Sequence, residues 1–180
     1  MYNITLAKFI SKILRHKPNI IGITLDDNGW AEVDELIAGI NRADLNLTRE
    51  ILNNIVENDT KTRFAFNKDQ SRIRANQGHS IQVDVELKEQ VPPNTLYHGT
   101  VERFVDNIFE KGLISKNRLY VHLSSDIETA VKVGSRRGEP VILEVNAGKM
   151  ADDGNIFYLS ANGVWLTESV PPTYIKRLIR

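Results

Sequence analysis

The feature that most restricts the fold of this chain is a change in the spacing of its apolar residues. In the first third, apolar side chains recur every three or four residues in three separate stretches, which is the period of helices that bury one face. From Phe64 onward, apolar and polar residues begin to alternate, which is the period of half-buried strands. The chain therefore predicts an α+β fold. The three helical stripes are Leu6, Phe9, Ile10, Ile13 and Leu14; Val33, Leu36, Ile37 and Ile40; and Ile51, Leu52, Ile55 and Val56.

Local signals set the limits of the elements predicted in residues 1–80. Pro18 ends the first helix, because proline lacks the amide that a helix needs, and Thr48 is placed to cap the third helix. After the third helix, residues 63–66 alternate in polarity and a short polar turn leads into residues 71–75. Three helices followed by a basic hairpin is the element order of a winged helix. Residues 1–80 are therefore predicted to form a winged-helix lobe.

Residues 81–94 are predicted to connect two lobes, because prolines and charged residues interrupt regular structure there. From residue 95 the predicted strands are short and numerous, and only two helices lie among them, one ending at Gly112 and one over residues 127–133. Residues 95–180 are therefore predicted to form a second α+β lobe dominated by antiparallel strands. Its predicted strands are residues 95–98, 119–123, 141–145, 156–159, 164–166 and 174–179.

Composition narrows the function classes before any motif is considered. The 23 lysines and arginines balance the 23 aspartates and glutamates, so contact with a polyanion must come from a local patch. The absence of cysteine excludes disulfides, zinc knuckles and thiolate nucleophiles, and the four histidines lack the spacing of metal ligands. No run of about 18 apolar residues is present. We expect a soluble, cytoplasmic, monomeric protein that uses no metal.

Arginine-bearing motifs recur far apart in this neutral chain, which suggests a phosphate site. Arg15 and His16 follow the apolar stripe of the first helix, where they could also be a solvated helix end with cations near the negative pole of the helix dipole. Arg63 is directed away from the core by its neighbour Phe64, although a salt bridge at the sheet edge would explain it equally well. Arg136 lies in a loop between a helix and a strand, where simple solvent exposure is the alternative.

Polar residues of the second lobe suggest a ligand cleft. His98, Gly99 and Thr100 are predicted to close a strand and open a helix, so that a ligand could approach the backbone and an anion could meet the helix N-terminus. A plain strand-to-helix turn explains this motif equally well. Alternation buries the neighbours of His122 and leaves His122 and Ser124 on the opposite face, where both would line a cleft.

Several short motifs follow one another in a distinctive order along the chain. They are Leu14-Arg15-His16, Thr62-Arg63-Phe64, Ile73-Arg74-Ala75-Asn76-Gln77-Gly78-His79-Ser80, His98-Gly99-Thr100, His122-Leu123-Ser124, Gly134-Ser135-Arg136-Arg137-Gly138 and Asn162-Gly163-Val164-Trp165-Leu166. In this order they resemble the NAD-dependent RNA 2′-phosphotransferases of the KptA type. The resemblance covers the chain from about Leu6 to Ile179. The motifs in the second half of the chain resemble the ADP-ribosyltransferase fold.

The resemblance implies a winged-helix RNA-binding lobe joined to an ADP-ribosyltransferase-like lobe that binds NAD as co-substrate. It implies removal of an internal 2′-phosphate from RNA, of the kind left at a tRNA splice junction. The 2′-phosphate would attack the nicotinamide ribose, expel nicotinamide and form an RNA-2′-phospho-ADP-ribose intermediate. The ribose 2″-hydroxyl would then attack phosphorus, which releases 2′-hydroxyl RNA and ADP-ribose 1″,2″-cyclic phosphate.

The resemblance also implies roles for individual residues. Its catalytic set falls on Arg15, His16, Arg63 and Arg136. His16 is the candidate proton handler, because imidazole titrates near neutrality, or it donates a hydrogen bond. Arg137 stands where the family pattern has histidine, so either neighbouring arginine could be the functional one, and the register favours Arg136. The residues implied in NAD binding are His98, Gly99, Thr100, His122, Ser124, Asn162, Gly163 and Trp165.

Other residues carry open alternatives. Side-chain contacts with the RNA backbone are expected from Lys12, Lys17, Arg72 and Arg74. Arg74, together with the nearby His79, could instead hold the two lobes in register. Core packing is favoured over base stacking for Trp165.

Two other functions fit parts of the pattern. An ADP-ribosyltransferase acting on nucleic-acid phosphate or on protein would use NAD without removing phosphate. The glutamate that protein-modifying enzymes place in this region has no counterpart, since Glu139 precedes Pro140. A winged-helix regulator with a ligand-sensing lobe would bind duplex and consume no NAD, and the neutral net charge speaks against it.

Overall fold

The computed structural model describes residues 3–178. The chain divides into two compact units, Met1–Glu86 and Leu87–Arg180. The division falls inside the predicted connection at residues 81–94, while the domain limits themselves stay a prediction. Ile179, where the last predicted strand ends, lies outside the described residues. Within residues 3–178, no helix is long and apolar enough to cross a lipid bilayer.

The first unit contains the three helices and the hairpin that the sequence predicts, and a short strand that was not predicted, β1, extends the hairpin to a three-stranded antiparallel sheet. The sheet has the order β1-β3-β2, with Phe64 opposite Ala75 and Ala31 opposite Ile73. One apolar core joins the inner faces of all three helices to the sheet. The elements are α1 Ile4–Arg15, β1 Ala31–Glu32, α2 Val33–Arg42, α3 Arg49–Glu57, β2 Phe64–Phe66 and β3 Arg72–Ala75.

The helix ends of the first unit follow from capping chemistry. The Asn3 side chain accepts a hydrogen bond from the amide of Leu6 at the start of α1, at 3.1 Å. The Thr48 hydroxyl accepts one from the amide of Ile51 at 3.2 Å, which confirms the predicted cap of α3. The α1 helix ends at Arg15, and Pro18 opens a short 3-10 turn. The predicted limits of both helices are therefore confirmed.

The second unit is a set of short antiparallel sheets with three helices, so the predicted α+β architecture with antiparallel strands is confirmed. The sheets have the orders β11-β7-β4, β6-β9-β8 and β10-β5. Their elements are β4 Leu96–Val101, α4 Val105–Lys111, β5 Leu113–Ile114, β6 Val121–Leu123, α5 Ile127–Gly134, β7 Pro140–Val145, α6 Ala147–Asp152, β8 Tyr158–Leu159, β9 Trp165–Thr167, β10 Ser169–Val170 and β11 Ile175–Arg177.

The structure corrects the interpretation of His98, Gly99 and Thr100. All three lie inside β4, where Thr100 pairs with Val141, so none of them opens a helix. A Cβ atom built at Gly99 would lie 1.8 Å from the carbonyl oxygen of Ala130 in α5. The missing side chain of Gly99 therefore makes room for the backbone of α5, and not for a ligand. Thr100 is buried, so it offers no helix N-terminus to an anion.

Candidate active site

The predicted pair at the end of α1 is held by a neighbouring segment and is not a freely solvated helix end. The amide of Ser80 donates to the carbonyl oxygen of Arg15 at 3.0 Å, and the Ser80 hydroxyl lies 2.9 Å from Nδ1 of His16. Gly78 packs against the Arg15 side chain, because a Cβ built there would lie 3.7 Å from the arginine Cδ and Cζ atoms. Residues 78–80 thus fix both members of the pair.

His79 lies beside this pair in the interior of the first unit. It is 2% exposed, and its Nε2 atom has no hydrogen-bond partner within the described part of the chain. Burial, together with the positive charges of Arg15, His16 and Arg74, lowers the pKa of His79 to about 4. His79 is therefore neutral near pH 7 and adds no charge to the arginine site.

Arg63 comes directly before β2 and is held by a buried carboxylate. Its Nη1 atom donates to Oδ1 of Asp59 at 2.7 Å, and its backbone amide donates to Oδ2 of the same carboxylate at 2.7 Å. The side chain of Asp59 is 2% exposed, whereas that of Arg63 is 29% exposed. The salt-bridge alternative for Arg63 is thus confirmed, and this bridge leaves the guanidinium reachable. Arg63 lines a shallow depression with Ile4, Ala7, Lys8 and Ser11 of α1.

The residues predicted to contact RNA lie in two different environments. Arg72 pairs with Asp26 at 3.0 Å. Arg74 pairs with Glu86 at 3.0 Å and stacks on the Trp30 ring at 4.4 Å, so its side chain is only 18% exposed.

Lys12 and Lys17, by contrast, are exposed, and they lie in a stretch, residues 1–25, that contains no aspartate or glutamate. Lys12 and Lys17 are therefore better placed than the hairpin arginines to meet a phosphate backbone.

In the second unit, His98 and His122 are linked through β4 and β6. Nδ1 of His98 lies 3.2 Å from the carbonyl oxygen of His122. Burial lowers the pKa of His98, as do the charges of Arg137 and Arg118, while the hydrogen bond with the His122 carbonyl acts in the opposite direction. His98 is therefore neutral near pH 7 and can act only as a hydrogen-bonding group.

Arg118 is a candidate that the sequence motifs missed. Its Nη1 atom contacts Nδ1 of His122, four residues along the chain. Burial lowers the pKa of Arg118, and the charges of Arg137 and Arg136 lower it further. Arg118 lies in the irregular segment before β6, where the spacing of apolar residues does not predict which side chains face the interior. The sequence shows only that Arg118 precedes the candidate residue His122 by four positions.

Arg136 and Arg137 lie in a 3-10 turn, Ser135–Arg137, that continues directly from α5. The predicted irregular loop is therefore short, and Pro140 already belongs to β7. Both arginines are exposed, and both contribute positive charge at Arg118. The choice between them as the functional arginine stays open.

The remaining predicted NAD residues are found in a strand end and a tight turn. The burial pattern of β6 confirms that His122 lies between buried neighbours. The backbone of Ser124 pairs with Tyr97 at 2.8 Å in both directions, which leaves its hydroxyl as the group that could meet a ligand. Gly163 has a φ of 75° in the turn that contains Asn162. Trp165 is 8% exposed and belongs to the apolar core, so the core alternative is confirmed for it.

Within residues 3–178, no group of three or more histidine, aspartate or glutamate side chains is arranged to hold a metal ion. Each unit instead carries cationic candidates of its own. In the first unit, residues 78–80 hold Arg15 and His16, and Asp59 holds Arg63; in the second, Arg118 contacts His122 and lies in the positive field of Arg136 and Arg137. Such arginines suit phosphate esters, because guanidinium groups bind phosphoryl oxygens through paired hydrogen bonds.

The chain is similar over nearly its whole length to one group of proteins. A family model described as "RNA 2'-phosphotransferase, Tpt1 / KptA family" matches residues 2–169. A "Probable RNA 2'-phosphotransferase" of Flavobacterium johnsoniae is 54% identical over 172 residues, which cover 96% of this chain and 94% of that protein. Proteins with the same name from Rhodopirellula baltica and Hahella chejuensis are 51% and 49% identical, cover 96% of this chain, and are themselves covered to 94% and 92%.

Proposed function

Because the chain belongs to the RNA 2′-phosphotransferase, Tpt1 / KptA family, we propose that it removes an internal 2′-phosphate from RNA by transferring it to NAD. The products are RNA with a free 2′-hydroxyl, nicotinamide and ADP-ribose 1″,2″-cyclic phosphate. The observation that carries this proposal is the match of residues 2–169 to that family, and the proposal is supported by arginines in both units that suit phosphoryl groups. A tRNA splice junction is the expected source of the substrate.

The first unit, proposed to be a winged helix, supplies the groups that hold the RNA phosphate. The phosphate is already an anionic nucleophile, so the first step needs no general base. It needs orientation in line with the glycosidic bond that breaks. Arg15 and Arg63 provide forked donors whose side chains are braced by neighbouring segments. His16, whose Nδ1 lies against the Ser80 hydroxyl, is the residue proposed to hydrogen-bond the substrate or to transfer a proton.

The second unit, proposed to have the ADP-ribosyltransferase fold, binds NAD. Its cationic residues fit a pyrophosphate, because Arg118 lies among like charges that an anion would neutralise. His98, kept neutral by burial, can hydrogen-bond a ribose hydroxyl without adding charge. Gly99 and Thr100 act through the packing of β4, while His122, Ser124, Asn162 and Gly163 remain proposed NAD contacts.

In the second step the ribose 2″-hydroxyl attacks phosphorus, and negative charge develops on the phosphoryl oxygens. Arginine is the suitable residue type, since its rigid donors match those oxygens in pairs. We assign this role to Arg136, as the sequence motif implies, and add Arg118 because its guanidinium contacts His122 and lies in the positive field of Arg136 and Arg137.

One product assay separates this proposal from its alternatives. The protein is incubated with NAD and an oligoribonucleotide that carries an internal 2′-phosphate, with a second reaction lacking NAD. ADP-ribose cyclic phosphate and 2′-hydroxyl RNA are expected only when NAD is present. A stable ADP-ribosyl adduct without phosphate removal would instead indicate a transferase on nucleic-acid phosphate. Failure to consume NAD would leave a regulatory RNA-binding protein as the better description.

A further inference from the structure

Asp59 is a buried carboxylate that lies outside every motif named above. It follows α3 by two residues, and its side chain is 2% exposed. Burying a carboxylate without partners is costly, so the groups that surround it must compensate for the lost hydration. Its contacts therefore show what holds it in place.

Nearly all of those contacts are directed at one arginine and the loop that carries it. Oδ2 of Asp59 accepts the backbone amide of Arg63, and Oδ1 accepts the guanidinium Nη1, each at 2.7 Å. Oδ1 also accepts the amide of Lys61 at 3.3 Å. The Asp59 carbonyl accepts the amide of Thr62 at 2.7 Å. One residue thus fixes both the main chain and the side chain of Arg63.

A second brace ties the same loop to the end of β3. Nδ2 of Asn76 donates to the Thr62 carbonyl at 2.6 Å, and the Asn76 amide donates to the Arg63 carbonyl at 2.8 Å. Thr62 has a φ of +40°, a left-handed conformation that is uncommon for threonine and needs such support. The loop is therefore specified by hydrogen bonds from two sides.

The burial of the Asp59 side chain distinguishes the Asp59–Arg63 ion pair from an exposed pair of the same length. Glu128 and Lys132 in α5 also meet at 2.7 Å with a spacing of four residues, but their side chains are 80% and 69% exposed. Water competes with such a surface pair, and side-chain entropy opposes it, so it restrains the lysine weakly. The Asp59 carboxylate is shielded from water, so the direction of the Arg63 guanidinium is set before any ligand arrives.

We propose that Asp59 is a positioning residue, which aims the Arg63 guanidinium at the 2′-phosphate of the RNA without touching the substrate. This inference rests on the proposed function and assigns a role that the arginine motifs do not show. Replacing the Asp59 carboxylate by a neutral side chain leaves the positive charge of Arg63 in place, but the direction of the guanidinium is no longer fixed. The loss should therefore appear in kcat rather than in KM for RNA, because attraction persists while alignment is lost.

The test is a double-mutant cycle of Asp59→Asn with Arg63→Ala, using the NAD-dependent product assay. Asp59→Asn alone should lower kcat by about tenfold to a hundredfold with KM for RNA unchanged or lower. In the Arg63→Ala background, the same change should alter kcat by less than about twofold, because the group it positions is gone. Glu128→Gln, which removes the exposed pair of equal length, is the matched control and should leave kcat unchanged.

Equal effects of Asp59→Asn in both backgrounds would overturn the proposal and make Asp59 a purely structural residue. Thermal unfolding of each variant sets a temperature at which all are folded, and Asp59→Ser is the second variant if the asparagine does not fold.

Failure of the proposed function is distinguishable, since the wild type would then yield no cyclic phosphate. In that case the ¹⁵N relaxation of Arg63 Nε decides the inference: greater mobility in Asp59→Asn supports positioning, and unchanged mobility overturns it.

Discussion

The two units surround their central arginines with charges of opposite sign. In the first, Arg63 is held by the opposite charge of a buried aspartate at 2.7 Å. In the second, desolvation lowers the pKa of Arg118, and the like charges of Arg137 and Arg136 lower it further. The first arginine is oriented by the protein alone. The second lies in a positive field that an incoming anion would relieve.

This difference suggests a division of labour between the units. An arginine with a fixed partner is suited to orienting a phosphate that must attack in one direction. An arginine among like charges gains most when a polyanion binds, which suits it to a dinucleotide with a pyrophosphate. Each prediction below tests one side of this contrast.

The largest effect is expected from Arg63→Ala. Removing an oriented guanidinium from a phosphoryl site should lower kcat/KM by about a thousandfold, or about 4 kcal/mol of transition-state stabilisation. Steady-state kinetics with NAD and 2′-phosphorylated RNA measure this loss. Arg63→Lys should recover little, because lysine cannot form the paired hydrogen bonds. Unchanged turnover in Arg63→Ala would show that this arginine of the first unit takes no part in catalysis.

A somewhat smaller effect is expected at Arg118, and it sharpens the contrast within the second unit. Arg118→Ala should lower kcat/KM by about a hundredfold, or about 3 kcal/mol, because this guanidinium contacts His122 and lies among like charges that a bound anion relieves. The contact with His122 orients Arg118, so Arg136→Ala and Arg137→Ala should each cost less, about tenfold. A greater loss at Arg136 than at Arg118 would show that the contact with His122 does not rank these cations.

The stability of the first unit should depend on pH through His79. Its pKa in the folded protein is about 4, below the ordinary value of 6.5, so protonation favours the unfolded chain. This stability is present above about pH 6.5 and is lost as the pH falls toward 4, by about 2 to 3 kcal/mol. Chemical unfolding at pH 7 and pH 4.5 should show this loss, and a His79→Leu variant should lack it. An equal loss in the variant would assign the titration to other groups.

The smallest effect is expected for the hairpin arginine Arg72. Its partners Asp26 and Glu32 are themselves exposed, so Arg72→Gln should change the free energy of unfolding by less than about 1 kcal/mol. Turnover should fall less than threefold at roughly physiological salt. A steep rise in KM for RNA would instead return the hairpin to the RNA-binding surface, and would contradict the preference for Lys12 and Lys17.

Much of the fold follows from local sequence signals, whereas contacts between distant residues do not. The α1 stripe and the Thr48 cap are short-range patterns, and both are found in the structure. The α6 helix was missed because its six residues hold too few apolar positions to show a period. Gly99 was misinterpreted, since its neighbour Ala130 lies thirty-one positions away in the chain and only the folded structure reveals their contact.

The candidate site divides in the same way. Arg15, His16 and Arg63 could be named from motifs, and the structure shows what fixes each of them. Arg118 and Asp59 escaped because an arginine and an aspartate outside every motif look like ordinary polar residues in sequence. The role of Arg118 depends on its contact with His122 and that of Asp59 on its burial, and both are properties of tertiary packing.

The contact between Gly99 and α5 has a practical consequence for probing the second unit. With no side chain to separate them, strand and helix must shift together, and a buried glycine on the helix side, Gly134, faces the Thr100 carbonyl in the same way. A fluorophore attached to the outer, exposed face of α5 would therefore sense any displacement of the strand that carries His98. Ligand titrations could then be followed optically, without placing a label among the residues that bind the ligand.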